Sequence, residues 1–491
     1  MRKIAVTFFI LVTYFCQANP IDVAKARQVA MDFFENRIQS NSISRSRVIS
    51  VPQLELAYTH YGEAGNASYY VFNQSQNQGF VIVSADDRST PILGYAGKGS
   101  FDMNKLPNGL KDLLMSYGKQ ISCAATNNIG NTRASKKLTD IEPLIQTQWD
   151  QHEPYNNMCP IDPNTGKRSL TGCGATALAQ LLYFHQYPNT GKNSISYEWN
   201  GTTYSADFAK VNFEWDKMRL AYDEGTPDED NAVATLMYYC ALSMKSEFTS
   251  DNTNSWFDTE FLSTYFGYKN EIKLLWKKDT SDDEFESVII QDLQKGLPVY
   301  CWAEASADWS HLFLIDGCDT NGFFHMNFGW SGEYDGYYLL SPIDLGWKNM
   351  NSFQCILYNI QPDIPGKWFL RTNDDRFFEM SNVESLEAAS DNDTYYNIYD
   401  SSGKLLASKV SSVSFVYTTG TNPELCPKGD ANCDGRVNTA DIVETINAVR
   451  GNPSMRFIEF NADANSDGKI DSKDIEAIKN IILTSESATE N

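Results

Sequence analysis

Long apolar runs are missing from this chain: no stretch reaches the roughly 18 consecutive residues that a membrane-crossing helix needs. Basic residues are in the minority, 40 against 63 acidic ones, for a formal charge of −23. That balance argues against nucleic acid as a main partner, because phosphate binding needs a basic face. Histidine is scarce, with five in 491 residues. No Cys-x-x-Cys pair occurs, which argues against a thiolate zinc site. What is present is ample core material. Hydrophobic residues make up 42% and aromatics 13%, which excludes wholesale disorder. A length of 491 residues predicts about two to four domains.

The first residues have the layout of a secretory signal peptide. Arg2 and Lys3 supply the positive start, Ala5 to Phe15 an eleven-residue apolar run, and Cys16-Gln-Ala18 a cleavage site after Ala18. A lipoprotein reading of Cys16 is weaker, because bulky Tyr14 and Phe15 precede it. The expected location is therefore secreted, with cell-surface attachment left open. Export permits disulfides. Nine cysteines remain after Ala18, an odd count that leaves at least one thiol without a partner inside the chain. The bland alternative is that most are buried small hydrophobes.

The chain divides into a signal peptide (1–18), a first unit (19–137), a central unit (138–362), a small β module or linker (363–425), a repeat-bearing module (426–484) and a tail (485–491). In the first unit, Val23, Ala26, Ala30, Phe33 and Phe34 stand at helical spacing. Tyr69 to Phe72 and Gly79 to Val83 read as strands, and a helix is expected after Pro107. Thr126 to Lys137 is polar and basic, as in an exposed linker open to proteolysis. The first unit holds 13 basic and 9 acidic groups, the central one 13 and 32. Opposite net charges would help the two dock; ordinary scatter of surface charge is an equal alternative.

The most informative stretch is Thr171-Gly-Cys-Gly-Ala-Thr-Ala-Leu-Ala-Gln. Thr171 can cap a helix whose Ala/Leu-rich run follows. Cys173 would then lie in the first turn, where free N–H groups and the helix dipole lower a thiol's pKa. Glycine on both sides leaves room for a substrate backbone. A cysteine nucleophile needs a base. His60 lies in the first unit, and His185 is about 18 Å along the same helix. His152 lies on a loop without a supporting partner, and His325 falls deeper in a hairpin, where a structural role is expected. His311 remains. With a turn near residue 319 or 320, it faces Asn327 or a near neighbour, whose amide would accept from one imidazole nitrogen. His311 lies 138 residues after Cys173, and Asn327 another 16 on, close to the separations of papain-like proteases.

Three blocks carry a family resemblance: Thr147-Gln-Trp-Asp-Gln-His-Glu-Pro-Tyr-Asn with Cys159-Pro; Thr171 to Gln180 with Tyr187-Pro; and His311 to Gly317 running into His325-Met-Asn-Phe-Gly-Trp-Ser-Gly. Together they resemble the streptopain-like cysteine peptidases of bacteria, and residues 21–125 look like that family's inhibitory propeptide. The resemblance implies an α+β, papain-like fold, a helical lobe beside a β-sheet lobe, behind an α/β prodomain. It implies Cys173 as nucleophile, His311 as general base and acid, Asn327 orienting the histidine, Gln151 in the oxyanion hole and Trp330 near the histidine. The chain departs from the pattern at Ser310 and Leu312, where Gly and Ala usually flank the histidine, and at Phe328, usually Trp. The implied product is a secreted cysteine endopeptidase made as a zymogen, acting on protein and peptide substrates and inhibited by its own propeptide. No cofactor for catalysis is expected.

Asp430-Ala-Asn-Cys-Asp-Gly-Arg-Val-Asn-Thr-Ala-Asp441 and Asp463-Ala-Asn-Ser-Asp-Gly-Lys-Ile-Asp-Ser-Lys-Asp474 repeat 33 residues apart. Asp430, Asn432, Asp434 and Asp441, then Asp463, Asn465, Asp467 and Asp474, put oxygen side chains at positions 1, 3, 5 and 12. Arg436 and Lys469 at position 7 would offer backbone carbonyls, and Gly at position 6 permits the sharp turn of an EF-hand-type calcium loop. The pair resembles a dockerin module. That implies structural calcium and a cohesin-like receptor, unless the module is only a calcium-stabilised spacer. Two rivals to the peptidase reading stand: another Cys-His-Asn acyl-transfer enzyme, such as an amidase or transglutaminase, and a calcium-dependent binding protein with a decayed catalytic domain.

Overall fold

The computed structural model describes residues 20–41, 53–127, 129, 140–222, 225–306, 309–343, 345, 353–363, 367–372, 377–389, 395–411, 413–418, 429–432, 437, 439–450, 457, 459–465 and 469–488. The expected signal peptide and most of the linker before residue 138 lie outside them.

The first unit runs α1 (Val23–Asn41), β1 (Leu54–Tyr61), β2 (Ala67–Gln74), β3 (Phe80–Ser84), β4 (Ile92–Ala96) and α2 (Asn108–Asn127). Ala26, Ala30 and Phe34 form the buried stripe of α1, while Val23 is exposed. Tyr69 to Phe72 and Phe80 to Val83 are buried without alternation, as in strands covered on both faces. The segment read as linker begins inside α2, which continues to Asn127.

The central unit contributes α3 (Cys173–His185), β5 (Ser194–Trp199), β6 (Thr202–Asp207), α4 (Pro227–Ser243), α5 (Glu260–Phe266), β7 (Lys273–Trp276), α6 (Asp282–Leu293), β8 (Val299–Ser306), β9 (Trp309–Cys318), β10 (Phe324–Asn327), β11 (Gly336–Tyr338) and β12 (Phe353–Tyr358). Local chemistry sets the helix starts. The hydroxyl of Thr226 accepts from the Glu229 N–H, and the Glu229 carboxylate accepts from the Thr226 N–H, with Pro227 opening α4. Ser281 caps α6 in the same manner, through the Glu284 N–H. Nearly every face of α3 is buried, and it packs between α4 and β9. Its apolar side chains join those of α4 and α5 and Tyr300, Leu312 and Leu314 of the sheet in one core. This is the helical lobe on a β-sheet lobe, as expected.

One ten-stranded sheet runs β1-β2-β3-β4-β11-β10-β9-β8-β12-β7. The first unit therefore adds its strands to the sheet of the central one. The seam is antiparallel, with Tyr337 opposite Tyr95 and Tyr338 opposite Gly94. The two tyrosine rings stack at 5.2 Å between centroids, and the Tyr95 hydroxyl donates to Asp319 at 2.8 Å. Arg37 of α1 pairs with Asp319 at 3.9 Å and lies over the Tyr95 ring at 4.1 Å. Helix α2 lies across β8 and β9.

Beyond this come β13 (Lys367–Thr372), β14 (Phe377–Glu379), β15 (Ser385–Ala388), β16 (Tyr396–Tyr399), β17 (Leu405–Val410) and β18 (Val413–Thr418), arranged as two three-stranded sheets. Leu370, Ile398, Val410 and Val413 share the apolar cluster of the large sheet. The last elements are α7 (Thr439–Val449), α8 (Glu459–Ala462) and α9 (Ser472–Ala488), around a small core of Ala431, Phe457 and Ala462. Helix α9 runs past the boundary expected at residue 484. Among the described residues, no helix is long and apolar enough to cross a membrane.

Candidate active site

Cys173 is the first residue of α3, as its position after Thr171-Gly172 suggested. The cap differs from expectation. Gly172 holds that position with φ +89°, and no side chain caps the helix; the Thr171 hydroxyl instead bonds the Thr176 hydroxyl at 3.0 Å. The two glycines flanking the cysteine serve the chain's own packing. A Cβ at Gly172 would lie 2.9 Å from the Thr253 carbonyl oxygen, and one at Gly174 would lie 2.9 Å from Leu312 Cδ1. Leu312 of β9 thus lies against the start of α3, and its N–H points at Cys173 Sγ from 3.4 Å.

His311, 4% exposed on β9, lies next to Cys173 in the chain fold through its neighbour Leu312, and its ring acts on the thiol. Burial pushes the thiol's pKa up, but the charge and hydrogen bond of His311, with the N–H groups of Leu312 and Gly174, outweigh it and hold the thiol below its ordinary value. Burial lowers the His311 pKa, and the Cys173 charge and hydrogen bond, with the Phe328 carbonyl and the charge of Asp112, raise it on balance. Both shifts favour thiolate beside imidazolium.

The orienting group is not the expected one. In the hairpin, Asn327 pairs with Leu314 and not with His311, because the turn is centred near residue 321, with Cys318 facing Phe324; a bulge between His325 and Met326 moves the register by one residue only. His311 lies opposite Ala303 of β8. Its Nε2 bonds the main-chain oxygen of Phe328 at 2.9 Å. Asn327, 2% exposed, accepts from Gln180 Nε2 at 2.9 Å and from the Gly329 N–H at 3.0 Å, and donates to the Thr147 carbonyl at 3.0 Å.

Gln151 is buried, and its carbonyl accepts from the Thr171 N–H at 3.2 Å, which holds it to the segment leading into Cys173. Trp330 is half-buried, its ring meeting His152 edge-on at 6.3 Å. His152 does have a supporting partner, contrary to expectation: Nδ1 lies 2.6 Å from Asp150. His325 is paired with Asp316 at 2.6 Å, His185 with the Tyr268 hydroxyl at 2.7 Å, and His60 stacks on Tyr69. None of these competes for the thiol. Among the described residues, Cys159, Cys240, Cys301, Cys318 and Cys355 are buried, with pKa values raised by burial.

The first unit covers the imidazole of this pair. A Cβ on Gly109, in the first turn of α2, would fall 2.6 Å from His311 Cδ2, so the helix backbone rests on the imidazole itself.

The description of the Peptidase C10 family matches residues 149–338, a span holding the thiol and the imidazole. The chain carries a Peptidase C10 domain. The Spi protease inhibitor family matches residues 18–121, and the dockerin type I domain residues 428–483. The chain is 30% identical to the thiol protease/hemagglutinin PrtT of Porphyromonas gingivalis over 67% of its own length, and spans about 40% of that protein. It is 28% identical to streptopain of Streptococcus pyogenes over 71% of its length, covering 96% of streptopain. A prointerpain A fragment from Prevotella intermedia matches with a TM-score of 0.56 at 27% identity, over 64% of this chain and 99% of that one. The first unit is thus an inhibitory propeptide domain joined to a cysteine peptidase domain, a zymogen-like arrangement.

In the dockerin domain, Asp430, Asp441 and Asp474 are fully buried. Asp441 accepts from the Asn432 N–H at 3.1 Å, and Asp474 from the Asn465 and Asp471 N–H groups. Asp463, Asn465 and Lys469 are less buried. Asp434, Arg436 and Asp467 lie outside the described residues, and among the described ones no group of three or more acidic, histidine or cysteine side chains converges. Buried carboxylates at the first and last positions of a loop suit a hard cation that takes oxygen ligands.

Proposed function

We propose that this chain is the secreted precursor of a cysteine endopeptidase in which Cys173 is the nucleophile and His311 the general base and acid. The observation that carries the reading is the electrostatic coupling of the half-buried Cys173 thiol, at a helix start, to the buried His311 imidazole, beside a Leu312 N–H that points at the same sulfur from 3.4 Å. The thiolate adds to a peptide carbonyl, and the oxyanion is stabilised by the Cys173 N–H and the Gln151 amide. The tetrahedral adduct expels the amine, which takes its proton from His311. Water, deprotonated by His311, then hydrolyses the thioester and frees the thiol. Asn327 supports His311 through main chain, and Trp330 walls the site beside His152. The propeptide (19–137) keeps the site closed with α2, and cleavage near Lys137 by the enzyme itself opens it.

In this reading residues 1–18 are removed on export, 138–362 form the catalytic domain, 363–425 the β module, and 426–484 a calcium-stabilised module that docks a cohesin-like receptor. Asp430, Asn432, Asp434, Asp441, Asp463, Asn465, Asp467 and Asp474, with the carbonyls of Arg436 and Lys469, would hold calcium, which supplies only structural charge there.

Cys173→Ala tests the assignment. The variant is expected to fold, to accumulate as unprocessed precursor and to lose casein cleavage; retained cleavage rejects Cys173 as the nucleophile. Processing of the pure variant at the normal rate rejects self-cleavage.

A further inference from the structure

The group that holds His311 is a peptide carbonyl, and two side chains fix the main chain that carries it. Phe328 lies in the connection from β10 to β11. Its carbonyl receives His311 Nε2 at 2.9 Å, and its N–H donates to Asp335 Oδ1 at 2.9 Å. The following N–H, of Gly329, donates to Asn327 Oδ1 at 3.0 Å. Gly329 has φ +65°, and a Cβ there would meet Thr176 Cγ2 at 2.9 Å, so this bend of the chain is tied to α3. Asp335 directly precedes Gly336, which is laddered to Met326. The carboxylate therefore sits at the end of the connection, one residue from the sheet.

We propose that Asp335 is a positioning residue for the reaction: it holds the Phe328 N–H so that the Phe328 carbonyl meets His311 Nε2. This rests on the reading of Cys173 and His311 as the reacting pair. A freed Phe328 peptide would let the imidazole turn away from the thiol, and would weaken the bond that favours its protonated form. Burial pushes the Asp335 carboxyl up to about 7, against the pull of His325 and of the Phe328 N–H. An acceptor oxygen persists in both protonation states, so a neutral amide can replace it.

The test compares Asp335→Ala and Asp335→Asn in the matured enzyme, with active sites counted by E-64 and Cys173→Ala as the control for the underlying reading. Asp335→Ala is expected to lower kcat about 10- to 100-fold, the range seen when an outer-shell partner is removed, with KM little changed. It should also move the basic limb of the pH profile to lower pH, because the imidazolium has lost support. Asp335→Asn keeps Oδ1 and is expected to retain kcat within about threefold. The proposal is overturned if Asp335→Ala loses only thermal stability while kcat and the pH profile stay as in the parent. It is equally overturned if Asp335→Asn folds normally and loses activity tenfold or more, a result that stands whether or not the alanine variant folds. Activity in the Cys173→Ala control would instead remove the reading beneath it.

Discussion

His311 interacts with two groups, the Cys173 thiol and the Phe328 carbonyl, which its Nε2 meets at 2.9 Å. The first gives it something to deprotonate, and the second stops the ring from rotating. Because burial alone would raise the Cys173 pKa and lower that of His311, the low thiol and high imidazole values depend on the pair. In the matured enzyme, alkylation of Cys173 by iodoacetamide, followed by peptide mapping, should stay fast well below the ordinary thiol range. His311→Ala leaves burial acting with only the N–H groups of Leu312 and Gly174 against it, so the profile should move to higher pH. Superimposable profiles would mean that His311 does not ionise the thiol. The pairing of thiol and imidazole was legible because few residues compete for it: five histidines, and one cysteine opening an Ala/Leu helix. The orienting group was not, since a main-chain carbonyl has no signature among side chains. The same holds for Asp335, whose only mark is an aspartate before a glycine, and for the turn centre near residue 321, which leaves Asn327 opposite Leu314, three places along β9 from His311. The partner of His152 is local, Asp150 two residues back on the same loop.

The strands and helices of the propeptide were readable from apolar spacing, but their destination was not. Edge strands of two sequence-distant units pair through backbone groups, and backbone groups are the same in every residue. The clue lies in Gly94 and Gly336, which face the seam where space is short. A Cβ at Gly94 would lie 2.5 Å from the Tyr338 ring and 3.0 Å from the Tyr337 carbonyl oxygen, and one at Gly336 would lie 2.5 Å from the Tyr95 carbonyl oxygen. Gly94→Val in the precursor should therefore strain the seam by about 1–3 kcal/mol, the usual cost of overpacking. The expected outcome is a lower first melting transition and faster conversion to the mature form, followed by calorimetry and gel electrophoresis. An unchanged melting profile and rate would mean that the propeptide is held elsewhere. Opposite net charge contributes little at the described contacts, where Arg37 with Asp319 is the ion pair that crosses between the two units; sheet pairing, stacked tyrosines and α2 do the holding.

Across the whole molecule, the sheet shared by propeptide and peptidase and the helix resting on His311 make latency a consequence of folding. The site is assembled and covered at once, and removal of one unit uncovers it. The dockerin domain, residues 428–483, is of a size at which a fold is marginal without help. Calcium should therefore raise its helix content, and chelation should lower the circular dichroism signal of the full chain; a spectrum indifferent to chelator would contradict the calcium assignment. The doubled twelve-residue loop made this domain legible, whereas nothing in residues 363–425 announced two separate sheets, because short strands carry too little periodicity to reveal their partners. The most direct test of the central claim is to incubate the purified precursor with and without E-64 and to map the adduct by mass spectrometry. A single adduct on Cys173, with new amino termini appearing only in the untreated sample, is the predicted result. An adduct on another cysteine, or cleavage that proceeds with Cys173 fully labelled, would contradict it.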